Sequence, residues 1–203
     1  MAQATKAAIK IETSHFLLRP MTHADISPAW RGWLSNPNDA YLLNAPARGL
    51  TTSDLRDYIA RFDNRGRILL GIFHKPTGNH IGILTAIASD SGNEVMLNVY
   101  VGEAQFRSAS NFMEIKKIRI AVASYLFFER GFKQIFASVA AHNKIMVAYL
   151  RSAGYEIAKR SMTPSRTQPD APPVEILLFR LTPERFLARN GDWVSATTPP
   201  ATD

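Results

Sequence analysis

The stretch LNVYVGEAQFRSASNFMEIKKIRIAVASYLFF, residues 97–128, joins an alternating apolar run to a helix-like run through a polar turn. LNVYVG alternates with period 2, as a half-buried strand does. IKKIRIAVASYLFF places Ile115, Ile118, Val122, Tyr125 and Leu126 on one helical face. Strand, polar turn and helix is the layout of a phosphate-holding loop, because the first N–H groups of a helix have no partner within the helix. Such loops usually carry glycine. QFRSASNFME, residues 105–114, carries none: Ser108 and Ser110 stand where backbone freedom would be expected. Serine caps helices and donates hydrogen bonds to oxygen, so a capping role and a phosphate role are both open here.

Outward from this stretch the chain reads as alternating elements. IKIETSHFLLRPM (residues 9–21) is a strand pair or one long strand. THADISPAWRGWLSNP reads as one helix, capped by Thr22 with Asp25 three residues on, with Trp30, Trp33 and Leu34 on its apolar face and Asn36-Pro37 as its end. A loop is expected to Leu50, then a helix over residues 51–62 capped by Thr52 or Ser53. Three meander strands follow, RILLGIFHK, HIGILTAIAS and EVMLNVYVG, separated by the turns PTGN and DSGN. After the helix of residues 111–130 come strand KQIFASVA, helix NKIMVAYLRSAG, strand YEIAKRSM, a proline-rich loop SRTQPDAPP, strand VEILLFRL and a short helix TPERFLARN. The order predicts an α+β (mixed α/β) fold in one domain over residues 9–190, with residues 1–8 and 195–203 as flexible tails.

Composition narrows the class. Of 203 residues, 46% are hydrophobic and 20% charged, as in ordinary globular proteins. No apolar run approaches the ~18 residues of a membrane span, and the first residues lack the apolar core of a signal peptide; a cytoplasmic location is expected. The absence of cysteine excludes thiolate ligands and a cysteine nucleophile. His15, His23, His74, His80 and His142 show no metal-binding spacing, so no metal is expected. A net charge of +7 points to an anionic ligand or partner. A phosphorylated cofactor or substrate and nucleic acid both satisfy it, and a merely solvated basic surface is the bland alternative.

Four stretches carry a resemblance: FLLRPMTHADI (residues 16–26), WLSNPNDAYLLNA (33–45), GIFHKPTGNHIGI (71–83) and HNKIMVAYLRSAGYE (142–156). In order and spacing they resemble the GNAT acetyltransferase superfamily, and look most like the branch with ribosomal-protein N-terminal and amino-sugar nucleotide N-acetyltransferases. The resemblance implies a splayed, mostly antiparallel sheet of six to seven strands flanked by about four helices. It implies that acetyl-CoA, or another acyl-CoA, lies in the split as co-substrate. Its pantetheine would pair with Val99, Tyr100 and Val101, and its pyrophosphate would rest on Arg107, Ser108, Ala109, Ser110 and Asn111, with Asn143 facing the arm. A small-molecule amine would be the acceptor, with an amino-sugar nucleotide favoured, and would attack the thioester directly.

The acid and base depart from the family pattern. The family tyrosine falls on Leu150, one residue past Tyr149, and its strand carboxylate falls on Met96, two residues past Glu94. Tyr149 and Glu94 are the candidate catalytic residues, with a core aromatic and a solvated strand-end carboxylate as their structural alternatives; His142 lies near the site. The missing glycines, Leu150 and Met96 equally suit a catalytically degenerate GNAT-fold acyl-CoA-binding or interaction protein. The last strand and helix are candidates for a homodimer contact. Nucleic acid and membrane are not the expected partners.

Overall fold

A computed structural model describes residues 9–108, 111–167 and 170–197. Ala109, Ser110, residues 168 and 169 of the proline-rich loop, residues 1–8, residues 198–203 and the side chains of Leu34 and of residues 194–197 lie outside the described residues.

Eight strands form one sheet: β1 (Ile11–Glu12), β2 (Phe16–Pro20), β3 (Arg67–His74), β4 (His80–Ala88), β5 (Glu94–Val101), β6 (Gln134–Ala140), β7 (Glu156–Thr163) and β8 (Val174–Leu181). Their spatial order is β1-β2-β3-β4-β5-β6-β8-β7, antiparallel everywhere except between β5 and β6. The sheet has eight strands because the opening run is a pair, folded back at residues 13–15 with the Thr13 N–H donating to the Phe16 carbonyl at 2.9 Å.

Period-2 alternation gives the sheet two apolar faces. On β3, Ile68, Leu70 and Ile72 enter one core and Leu69 and Phe73 enter the other. The larger core packs under α4 (Phe112–Ser124), α5 (Lys144–Ser152) and α6 (Pro183–Thr197) through Ile118, Val122, Leu150 and Phe186. The smaller packs under α1 (Pro28–Gly32) and α3 (Thr52–Ala60) through Trp30, Leu55 and Ile59, with Trp33 just beyond α1. Gly82 on β4 and Gly102 after β5 are there for space, not for φ. A Cβ on Gly82 would sit 2.4 Å from the Tyr100 carbonyl oxygen, and one on Gly102 would sit 2.0 Å from the Trp33 ring.

The expected helix over residues 22–36 is three pieces. Asp25 accepts from the Thr22 N–H and hydroxyl, each at 2.8 Å, and from Arg19 at 2.6 and 2.9 Å, around a single 3-10 turn. Pro28 has no N–H to continue that turn, so Ser27 caps a new start and accepts from the Trp30 N–H at 3.1 Å. The expected loop before Leu50 contains α2 (Pro37–Leu43). Asn36-Pro37, taken as a stop, is also a start: Asn36 accepts from the Asn38 N–H at 2.9 Å with Pro37 in the first turn, and Asn44 ends the helix at φ 46°. The cap of α3 is Thr51, one residue before the expected pair, with Asp54 accepting from its N–H at 2.8 Å. α6 runs past Asn190 because Trp193 packs on the larger core. The chain thus has six α-helices among the described residues rather than four.

Candidate functional site

The parallel contact between β5 and β6 is short. Glu94, Val95 and Met96 pair with Gln134, Ile135 and Phe136, and there the ladder stops. On its other side β5 pairs with β4 as far as Val101. Residues 97–101 therefore present one edge that no strand covers among the described residues, and backbone N–H and C=O groups on such an edge seek partners. The two halves of the sheet diverge into a cleft of about 240 Å³ walled by β5, α2, α4 and α5.

Each wall contributes by helical or strand spacing. From α4 come Phe112, Ile115, Lys116 and Arg119, at i, i+3, i+4 and i+7. From α5 come Ile145, Met146 and Tyr149, with Asn143 before it; from α2, Asp39, Leu42 and Leu43. Asn143 caps α5, accepting from the Met146 N–H at 3.2 Å. Leu43, Phe112 and Ile145 are exposed apolar side chains at the rim.

The turn into α4 is held by its own polar groups. Ser108 donates to the Gln105 carbonyl at 3.2 Å. Asn111 donates to that carbonyl at 2.9 Å and to the Ser108 hydroxyl at 3.3 Å. Asn111 thus points back into the turn and makes no side-chain capping bond to the helix. Glu114 in the first turn accepts from Lys117 at 2.6 Å, His15 at 2.8 Å and Ser14 at 3.2 Å; Lys117, then His15, hold its carboxyl down at about 2. These bonds pin the start of α4 to the β1–β2 turn.

Arg107 is not aimed at the turn. It donates to Asp39 at 2.5 Å and to the Gly102 carbonyl at 3.5 Å. The Tyr100 hydroxyl donates to the other oxygen of Asp39 at 3.0 Å, and burial, then the Asp39 charge, pushes Tyr100 above the usual tyrosine range. Asp39 is 5% exposed. It lies in the stretch read as loop, which is why the sequence reading missed it; the turns of α2 bring it to the cleft.

Of the sequence-stated candidates, Val99, Tyr100, Val101, Arg107, Ser108, Asn143 and Tyr149 all line the cleft. Asn111 supports it, and Ala109 and Ser110 lie outside the described residues. Tyr149 stands edge-on to Phe112 with ring centres 6.0 Å apart, and the Arg119 guanidinium lies 5.0 Å from its ring centre. Burial raises the Tyr149 hydroxyl pKa, so it is protonated at neutral pH. Leu150 is turned into the core. Glu94 is at the far end of β5, opposite Gln134 where the sheet is closed, roughly 16 Å of strand from Val99. The strand's period puts it on the face expected, but at the wrong height, so it is not part of the cleft. His142 stacks on Tyr41 with ring centres 4.1 Å apart, its Nε2 2.9 Å from the Tyr41 carbonyl, and so joins the β6–α5 turn to α2 beside the cleft. Among the described residues no cluster of three His, Asp or Glu side chains could hold a metal ion. No described helix is long and apolar enough to cross a membrane.

No family model matches the chain, and no curated protein sequence does. Solved structures do match in shape. Spermidine N-acetyltransferase from Vibrio cholerae, in complex with CoA and spermine, superposes with a TM-score of 0.71 at 13% identity, over 86% of this chain and 99% of that one. Ribosomal-protein-S5-alanine acetyltransferase from Vibrio fischeri gives 0.69 at 10% identity, over 86% and 96%. A GNAT-family acetyltransferase from Bacillus anthracis gives 0.68 at 11%, over 87% and 99%. The fold is that of the GNAT acetyltransferases.

Proposed function

We propose that the chain is an N-acyltransferase that moves an acyl group from acyl-CoA to a primary amine of a small molecule. The observation that carries this reading is the uncovered edge of β5 at residues 97–101, opening beside the start of α4. A pantetheine arm has amides spaced to serve that edge as a substitute strand, and the positive end of the α4 dipole favours a pyrophosphate at the start of that helix. Asn143 closes the opposite side. Leu42, Leu43, Val99, Phe112, Ile115 and Met146 make much of the remaining lining apolar, which limits the water around a thioester.

In the transfer, the amine nitrogen bonds to the thioester carbon, the C–S bond breaks, and the amine loses a proton while the sulfur gains one. Tyr149 is the group in the cleft suited to give the sulfur its proton, because its hydroxyl stays protonated at neutral pH. Lys116 and Arg119 lower the cost of negative charge there. Solvent takes the amine's proton; Asp39 is tied to Arg107 and Tyr100 and serves instead to set the α2 wall. The basic surface favours an acceptor that carries phosphate, such as an amino-sugar nucleotide.

The test is calorimetric titration with CoA and acetyl-CoA, followed by thiol release with a panel of amines: amino-sugar nucleotides, polyamines and peptide N-termini. Micromolar binding with turnover of one amine class is the expected result. Binding without any turnover would favour the second reading, a degenerate acyl-CoA-binding protein, which the departure of the family's tyrosine and carboxylate positions supports. No binding at millimolar ligand would overturn both.

A further inference from the structure

Among the described residues, two cations that line the cleft have no counter-ion. Arg107 on one wall is matched by Asp39, and Lys117 on the outer side of α4 by Glu114. Among the described residues, Lys116 and Arg119 form no ion pair. Both are half-buried, and both line the cleft and a smaller cavity of about 30 Å³ behind it, walled by Leu97, Ala137 and Tyr149. The Arg119 guanidinium donates to the Val99 carbonyl at 3.5 Å and covers the Tyr149 ring. A half-buried charge without a counter-ion carries a desolvation cost that a bound anion would offset.

Position says which anion. Arg119 is seven residues past Phe112, about 10 Å down the helix axis from the amides that suit a pyrophosphate. The sheet closes again at Met96 and Phe136. A pantetheine arm entering at Val101 and lying along β5 must end between Val99 and that closure, beside Arg119. The group at the end of the arm is the acyl group.

Resting on the acyl-CoA reading, we infer that this cleft selects an acyl group that bears its own carboxylate, the half-thioester of a short dicarboxylic acid, with Arg119 as the carboxylate's partner and Lys116 as supporting charge. A guanidinium takes a carboxylate in two parallel hydrogen bonds. A plain acetyl group leaves it with the Val99 carbonyl and the Tyr149 ring and no anion. The choice of donor over acceptor follows from α4, which carries Arg119 on the wall that receives the arm.

The experiment compares CoA, acetyl-CoA, butyryl-CoA and succinyl-CoA by calorimetry, on the wild-type chain and on Arg119→Met and Arg119→Lys. Butyryl matches succinyl in length and lacks only the carboxylate. Succinyl-CoA is expected to bind at least about tenfold more tightly than butyryl-CoA. Arg119→Met should erase that ratio, and Arg119→Lys should keep part of it; the lysine variant decides the matter if the methionine variant does not fold. Equal affinity for succinyl and butyryl thioesters in the wild type overturns the inference and leaves the acyl-CoA reading standing. So does an Arg119→Met loss that falls equally on all four ligands, because Arg119 would then serve the phosphates. If no ligand binds, the acyl-CoA reading falls and this inference with it.

Discussion

His80 is enclosed by three aromatic rings, Trp30, Trp33 and Phe73, with ring centres 5.4, 5.0 and 5.1 Å away. Its Nε2–H donates to the Gly82 carbonyl at 2.8 Å, which fixes the tautomer and leaves Nδ1 buried with no partner among the described residues. Burial pushes its pKa from 6.5 down to about 4, against the pull of Asp25 and Glu103. The unfolded chain therefore takes up this proton near pH 6.5 and the folded chain does not until about 4. Stability tied to His80 is intact above that window and is lost as pH falls through it, by roughly 2–3 kcal/mol. Urea denaturation near pH 7.5 and near pH 4.5 should show that loss in the wild type and a smaller one in His80→Gln, which keeps an N–H for Gly82. Identical acid losses in the two proteins would refute it. Nothing in the local sequence HIGIL announces this histidine as buried: the rings that enclose it come from α1, the turn after it and β3.

At the scale of the element, α2 is the informative case. Its start signal, Asn36-Pro37, serves equally as a stop, and a seven-residue helix has too few turns to show periodicity. Once formed, it delivers Asp39 to Arg107 and Tyr100, and so locks the α2 wall to the turn before α4. Asp39→Asn keeps the acceptor for Tyr100 but turns an amide toward Arg107. It should lower stability by about 2 kcal/mol, since a charged hydrogen bond is lost. It should also tighten CoA binding by about tenfold at low salt, because Arg107 becomes free for phosphate, with the gain fading in high salt. Thermal melts and titrations at two salt concentrations check both halves. Weaker CoA binding in the variant would show that Asp39 shapes the site rather than restraining Arg107.

The whole molecule is two sheet segments, β1–β5 and β6–β8, joined in the sheet by three residue pairs. Their cores are continuous through α4, yet the split itself has no strand across it. A ligand that bonds the β5 edge and touches α5 bridges the segments. At a hundredfold excess over its Kd it adds ~2.7 kcal/mol to folding stability. Hydrogen exchange should then slow at residues 97–101 and in the first turn of α5, and little at β1 or β7. Protection confined to the far ends of the sheet would place the ligand elsewhere and remove the cleft from consideration.

Period-2 and period-3.6 patterns, together with Gly78, Gly92 and Gly131 at positive φ, were enough to place the meander, α4, α5 and β8 in order, since those signals are local and each residue's face follows from its neighbours. The family resemblance, not periodicity, set Val99–Val101, Asn143 and Tyr149 beside one split. Which helix face met which strand was beyond their reach. Glu94 and Tyr100 share a strand face, but only the point where β5 parts from β6 puts one in the cleft and the other at a closed end. Arg107 read as a phosphate ligand until α2 folded Asp39 against it, and Lys116 and Arg119 counted only toward the net charge until α4 turned them to the cleft. Charge has no period, and its meaning depends on what the fold sets opposite it.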